Sequence, residues 1–237
     1  MMDRQVIILC LCVFLGSAYG KETLVFSSTL KNDRARLVCS EVLGKALDRL
    51  NIEMNIYQMP EARSLKMSSQ GVTDGDVARI GGLESKYSDL YQVAVSCFSH
   101  DVYLYVKAGK EFKVNGWGSI PKGYLIGYQK GVQFIEIAAQ EYNLALYPLA
   151  NAKQVLGLMK KGRIDLLVGT EQFLTLTDST SRTTGIIMLV PAIEHHSFYS
   201  YLHKKHQYIL PKLNNILISM QASGEVELIQ QKHMMPR

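Results

Sequence analysis

The sequence predicts an α/β protein of two lobes, each built on a mixed, mostly parallel sheet, with two strands joining them as a hinge. Three observations carry this. Strand-like and helix-like patterns alternate along the chain, the order that gives parallel sheets with helices on their faces. A polar, Gly-containing stretch at 107–122 interrupts the alternation, which then restarts. The final segment is helical and has no strand of its own in the second half, so it is placed most simply if the chain returns to the first. A chain of 237 residues can bury two modest cores.

The elements follow in order. Residues 23–28 (TLVFSS) read as a buried strand. Leu37, Val38, Val42, Leu43, Ala46, Leu47 and Leu50 recur at helical spacing and predict a helix over 33–50, with Asn32 or Asp33 able to cap its start. Residues 52–58 alternate as a strand does. Pro60 opens a short helix at 61–69 that Gly71 stops. Short strands are expected at 77–80, 90–95 and 102–106. After the connector come a strand at 124–128, then a helix at 132–142 with Phe134, Ile135, Ala138, Ala139 and Tyr142 inward. A strand at 145–147 leads to a helix from an Asn151 cap to Lys161, with Val155, Leu156 and Met159 inward and Gly162 as its stop. The apolar run 164–168 reads as a strand buried on both faces. Further strands are expected at 186–190 and 197–202, and one or two helices over 207–231, broken near Gly224. The crossover strands are then those near 102–106 and 191–201. A two-strand hinge lets rigid lobes close on a ligand.

Composition narrows the function class. Net charge is +5, and the basic residues are scattered, the densest being pairs such as Lys160-Lys161 and Lys204-Lys205. Nucleic-acid binders present a clustered basic stripe with a matching module, and neither is seen. At the start, Arg4 precedes an apolar run at 6–15 and the small residues Gly16, Ser17, Ala18 and Gly20. This is the order of a secretory signal peptide, with cleavage expected after Gly20. The run falls short of the roughly 20 apolar residues a bilayer span requires. An exported, periplasmic location is therefore expected. Export would leave Cys39 and Cys97, which an oxidising compartment can join; two separate buried thiols are the alternative.

Several short pieces then resemble a known family, the bacterial extracellular solute-binding proteins of family 3, whose familiar members are periplasmic amino-acid receptors of ABC transporters. In the first lobe these are Pro60-Glu61-Ala62-Arg63, Gly71-Val72-Thr73-Asp74-Gly75 with Arg79, and Tyr87-Ser88-Asp89-Leu90. In the second they are Gly127-Tyr128-Gln129-Lys130-Gly131 and 162–168 (GRIDLLV), and in the tail 213–217 (LNNIL), Ser223-Gly224-Glu225 and Ile229. Their order and spacing cover nearly all of the chain past the leader. The resemblance implies the type II periplasmic-binding-protein fold. The expected boundaries are a signal peptide at 1–20, lobe 1 at 21–105 and 192–237, and lobe 2 at 106–191. It implies a cleft between the lobes, where physics also puts it: open parallel sheets bind ligands beyond the carboxyl ends of their strands.

The candidate ligand-binding residues are Ser28, Arg63, Arg79, Lys130, Gly131, Thr170 and Glu171. Ser28, with Ser27 and Thr29, ends the first strand, where hydroxyls can donate to a ligand or satisfy a turn. Arg63 and Arg79 offer the planar fork that suits a carboxylate, with a structural ion pair as the alternative. The family places a first-lobe Arg on the ligand carboxylate, although the Thr usually found shortly before it is missing from this sequence. Lys130 and Gly131 lead into a helix start, which favours an anion. The family's second-lobe carboxylate, which holds a ligand ammonium, matches about Thr170, followed by Glu171; either Glu171 substitutes for it or the ligand has no α-amino group. Tyr87, Tyr103, Tyr128 and Tyr199 could wall the cleft. His195 and His196 would point to opposite faces of a strand and could not easily share a metal ion.

No metalloprotease, nucleophile-elbow, phosphate-loop or CxxC motif is present. The expectation is a binding protein without catalytic residues, cofactor or metal, acting as a monomer. Its ligand would be a small anionic or zwitterionic molecule and its partner a membrane permease. A membrane sensor as partner is an alternative. So is a secreted lyase of the cyclohexadienyl dehydratase kind, with Glu171 as its acid.

Overall fold

A computed structural model describes residues 21–30, 34–130, 132–149, 153–171 and 185–234. The leader, the Asn32, Asp33 and Asn151 caps, and Gly131 lie outside these residues.

Among the described residues, nine strands and six α-helices follow one another: β1 (Glu22–Thr29), α1 (Arg34–Asp48), β2 (Ile52–Met59), α2 (Glu61–Ser69), β3 (Gly75–Ile80), β4 (Leu90–Gln92), β5 (Phe98–Lys107), β6 (Leu125–Gln129), α3 (Gln133–Tyr142), β7 (Ala145–Leu149), α4 (Lys153–Lys160), β8 (Leu166–Thr170), β9 (Ile186–His203), α5 (Leu210–Ala222) and α6 (Glu225–Met234). The strand order is β2-β1-β3-β9-β5-β8-β6-β7, with β4 paired to β9. The pairs β1–β2, β1–β3, β6–β7 and β6–β8 are parallel, as βαβ crossovers require. The pairs involving β5 or β9 are antiparallel.

The two sheets expected to be joined by a two-strand hinge are hydrogen-bonded through that hinge into one continuous ladder. The cause is that β5 and β9 belong to both halves: β9 pairs with β3 around Tyr199 and with β5 from Phe198 to Ile186, while β5 pairs with β8 over Val102–Val106. The cores remain distinct. One gathers Leu24, Phe26, Val77 and Leu202 under α1, α5 and α6. The others lie on the two faces of the second half, around Leu104, Ile126, Ile135 and Val168 and around Tyr105, Met159 and Ile164. The closing helices α5 and α6 bury Leu213, Leu217, Val226 and Ile229 in the first core, so the chain does return to it.

Three details differ from the pattern reading. The strands expected at 186–190 and 197–202 are one strand of 18 residues. Pro191 lacks an N–H, but the β5–β9 register jumps from Leu104↔Leu189 to Val102↔Glu194, so no rung is asked of it. The polar connector contributes Val114, Trp117 and Ile120 to the second core. Tyr142, expected inward, is 45% exposed at the end of α3. Cys39 and Cys97 form a disulfide with Cα atoms 5.0 Å apart, tying α1 to the approach to β5. Among the described residues, no helix is long and apolar enough to cross a membrane.

Candidate functional site

β1 and β3 end at one edge of the first half, and α2 begins there because it follows β2 through Pro60. Ser28 is buried at the end of β1. Below it lies a polar knot. Asp76, fully buried, accepts from Ser64 Oγ at 2.7 Å, Ser27 Oγ at 3.3 Å and Arg79 Nη2 at 3.0 Å. Arg79 also donates from Nη1 to Glu61 Oε1 at 3.3 Å and from Nη2 to the Glu61 carbonyl at 3.2 Å. Its side chain is only 7% exposed, and its Nε is buried without a hydrogen-bond partner. Arg79 is thus a fork already engaged by Asp76 and Glu61. Arg63, on the first turn of α2, is exposed.

In the second half, Lys130 is exposed where β6 gives way to α3, its amide donating to the Leu149 carbonyl at 3.2 Å. Thr170 ends β8, and its carbonyl accepts from Tyr105 Oη at 2.7 Å. Glu171 is exposed one residue further. The register Val102↔Thr170 sets Glu171 next to Asp101. Burial, then the charge of Glu171 and the neighbouring Tyr103, push the Tyr105 phenol far above its ordinary value. Burial, then the Asp101 carboxylate, which accepts from Tyr103 Oη at 3.3 Å, push Tyr103 upward as well.

Between the two sets runs the β5–β9 ribbon. On one face His195 meets Asp101 at 2.7 Å and Ser197 at 3.1 Å. On the other, the pairs Phe98↔Phe198, His100↔His196 and Val102↔Glu194 stand in line. The two adjacent histidines therefore do face opposite ways. The second face is a run of rings: Phe98–Phe198 at 6.1 Å between centroids, His100–Phe198 at 5.6 Å, His100–His196 at 5.7 Å, and His196–Phe134 at 4.4 Å. Phe134 comes from the first turn of α3. Glu194 Oε1 accepts from Trp117 Nε1 at 2.5 Å, and His196 Nε2 lies 2.8 Å from Glu194 Oε2. Burial raises the Glu194 carboxyl, but His196 and Trp117 outweigh it and hold the group below its ordinary range.

The candidate tyrosines separate. Tyr128 is buried in the second core and donates to Glu136 at 2.9 Å. Tyr199 lies opposite Arg79 on β9, Tyr103 sits on the ribbon, and Lys86 lies over the Tyr87 ring at 5.9 Å. Sequence reasoning missed His100, Phe134, Glu194 and Phe198. Period-two alternation assigns His100, Glu194 and Phe198 each a face of its own strand, but only the register between β5 and β9 brings them together, and Phe134 meets them from the first turn of α3. A separate groove of about 300 Å³, lined in part by Glu22, Ile52, Tyr208 and Lys212, lies at the amino-terminal ends of β1 and β2, the opposite end of the sheet.

No family model matches the chain. An uncharacterised protein of Shewanella oneidensis is 23% identical over 195 residues, covering 79% of this chain and 72% of that protein. The YckB protein of Bacillus subtilis superposes with a TM-score of 0.70 at 15% identity over 90% of both chains. The probable amino-acid ABC transporter extracellular-binding protein ytmK of Bacillus subtilis gives 0.66 at 13% identity, over 91% of this chain and 99% of that one. A histidine kinase sensor domain with similarity to periplasmic binding proteins gives 0.61 at 12%, over 90% and 97%. The chain therefore has the two-lobed fold of periplasmic binding proteins.

Proposed function

We propose that the chain is an extracellular solute-binding protein of the family 3 type, exported and trimmed after Gly20. It closes on a small polar solute, an amino acid or related carboxylate, and presents it to an ABC transporter. In this reading lobe 1 comprises 21–105 and 192–237, and lobe 2 comprises 106–191. The observation that carries it is the pair of long strands, β5 and β9, running between two independent cores. Two hydrogen-bonded strands resist stretching yet permit twist and bend, so the halves can approach while each keeps its packing. Lys130, Thr170 and Glu171 on one side and Ser28 and Arg63 on the other are the groups proposed to hold the solute. Arg79 contributes by fixing Glu61 and the first turn of α2.

The likeness to ytmK supports delivery to a transporter. The likeness to a kinase sensor domain supports a second reading, in which a membrane sensor reads the closed form. Both use one mechanism, because a ligand that binds the closed state better shifts the population toward it. The test is a thermal-shift screen of amino acids, short peptides and organic acids, followed by titration calorimetry. A true ligand raises the melting temperature with concentration, adding about 2.7 kcal/mol of stability at a hundredfold excess over Kd. If no member of the three classes shifts the transition, the reading fails. A cyclic acid converted to product would replace it with the lyase.

A further inference from the structure

Strand β5 passes from the first core at Phe98 to the second at Val102. On the ribbon face opposite the rings, three side chains are linked in series there. Asp101 and His195 are cross-strand partners, and Asp101 Oδ1 lies 2.7 Å from His195 Nδ1. His195 Nε2 lies 3.1 Å from Ser197 Oγ, two residues further along β9 and so on the same face. A carboxylate only accepts, so Nδ1 carries the proton of the neutral imidazole and Nε2 keeps its lone pair, to which the Ser197 hydroxyl donates. Asp101 is itself held, its Oδ2 accepting from Tyr103 Oη at 3.3 Å. Ser197 is fixed by its backbone: it pairs with Ser99, and its carbonyl accepts from the Gly81 amide at 3.2 Å. The group is open to solvent. The side chains of His195 and Asp101 are 60% and 44% exposed, Ser197 is half-buried and Ser99 is exposed.

We propose that Ser197, His195 and Asp101 form a nucleophilic triad and that the protein hydrolyses small carboxylic esters at this face. Such a triad is defined by geometry and recurs in different chain orders, so a hydroxyl, an imidazole and a carboxylate supplied by two paired strands qualify without a sequence motif. In the first step Ser197 Oγ bonds to the ester carbonyl carbon while its proton passes to His195 Nε2. The bond from that carbon to the alkoxide oxygen then breaks, and His195 returns the proton to the leaving alcohol. In the second step a water oxygen bonds to the acyl carbon. His195 takes the water's proton and gives it to Ser197 Oγ as the acyl–serine bond breaks, releasing the carboxylic acid. Asp101 stabilises the imidazolium formed in each step. The hydroxyl of Ser99, directly across from Ser197 where opposed Cβ atoms stand about 4.5–5.5 Å apart, is the donor assigned to the oxyanion. An open face gives a long acyl chain little to bind, and an acidic alcohol leaves most readily. The substrate class is therefore small esters with activated leaving groups. The triad does not rest on the solute-binding reading, and either can fail alone.

The test is hydrolysis of p-nitrophenyl acetate by the purified protein, together with fluorophosphonate labelling located by peptide mass spectrometry. Both are repeated on Ser197→Ala, His195→Gln and Asp101→Asn variants whose melting curves show them folded. The label is expected on Ser197. Ser197→Ala and His195→Gln should each lower kcat/KM by about a hundredfold or more, the scale of general-base assistance. Asp101→Asn should lower it by about tenfold or more, because the imidazole loses its fixed tautomer. Ester cleavage by exposed histidines acting alone would survive Ser197→Ala. Turnover equal in the unaltered protein and Ser197→Ala, a Ser197 that takes no label, or a rate unmoved by Asp101→Asn overturns the triad. Each of these results leaves the solute-binding reading as it stands, since the assay contains no solute.

Discussion

Asp76 has no exposed surface and takes hydrogen bonds from Ser27, Ser64 and Arg79. Removing it would leave the guanidinium of Arg79 buried without its main counter-charge. Asp76→Ala should therefore cost about 3–5 kcal/mol in urea unfolding, whereas Glu61→Gln, whose side chain is 54% exposed, should cost less than about 1 kcal/mol. Arg63→Ala removes an exposed rim charge. It should slow association of any anionic solute found by screening, with the stability of the fold unchanged, as stopped-flow kinetics and a thermal melt would show. Asp74 contributes to acid stability. Its burial raises the carboxyl, but Lys205, the Val25 amide and His206 outweigh that and hold it below its ordinary value. A depressed carboxylate contributes stability above the unfolded value, about pH 4, and loses it as pH falls through the folded value. Asp74→Asn should flatten the acid limb of the stability–pH curve, measured by urea midpoints between about pH 5 and 2. Residue roles of this kind were only half legible. The sequence marks Arg79 as a cation at a strand end, but whether it meets a ligand or Asp76 depends on a contact with α2 that spacing does not encode.

At the scale of elements, the disulfide offers the clearest measurement. Cys39 and Cys97 are 58 residues apart in sequence, and closing a loop of that length stabilises by about 4 kcal/mol if it acts by restricting the unfolded chain. Cys39→Ser with Cys97→Ser should lower the urea midpoint accordingly, and a reductant should do the same to the unaltered protein but not to the double variant. Helices α1 and α2, strands β1 and β2 and the break at Gly224 were legible because local periodicity and glycine or proline punctuation set them. Gly71 is one such signal: it sits at φ +70°, and a Cβ there would come within 2.6 Å of His203 Cε1. Strand β9 was less legible, since Pro191 reads as an interruption until the register jump beside it is seen. The connector 107–122 misled in the other direction: its charge hides Val114, Trp117 and Ile120, whose burial depends on α3 and β6 arriving over them.

For the whole molecule, the shared ribbon makes a direct prediction. A bound solute should reduce the radius of gyration in small-angle X-ray scattering while far-UV circular dichroism stays constant, because closure moves two packed bodies without melting either. Shrinkage with loss of ellipticity, or no change at saturation, would contradict the hinge. The fold at this scale was legible from the repeated alternation and the orphaned closing helices. The continuity of the ladder was not, since it depends on how far β5 and β9 extend. The return of the chain also sets the handling of the two ends. Strand β1 and helix α6 lie on the same core, with Lys232 and His233 both within 2.8 Å of Glu41 on α1. A tether, tag or surface linkage attached at either end therefore loads one body alone. Under the proposed hinge, the other body, carrying Trp117 and α3, would be left unencumbered to swing, which is the arrangement wanted for immobilising the protein on a sensor chip.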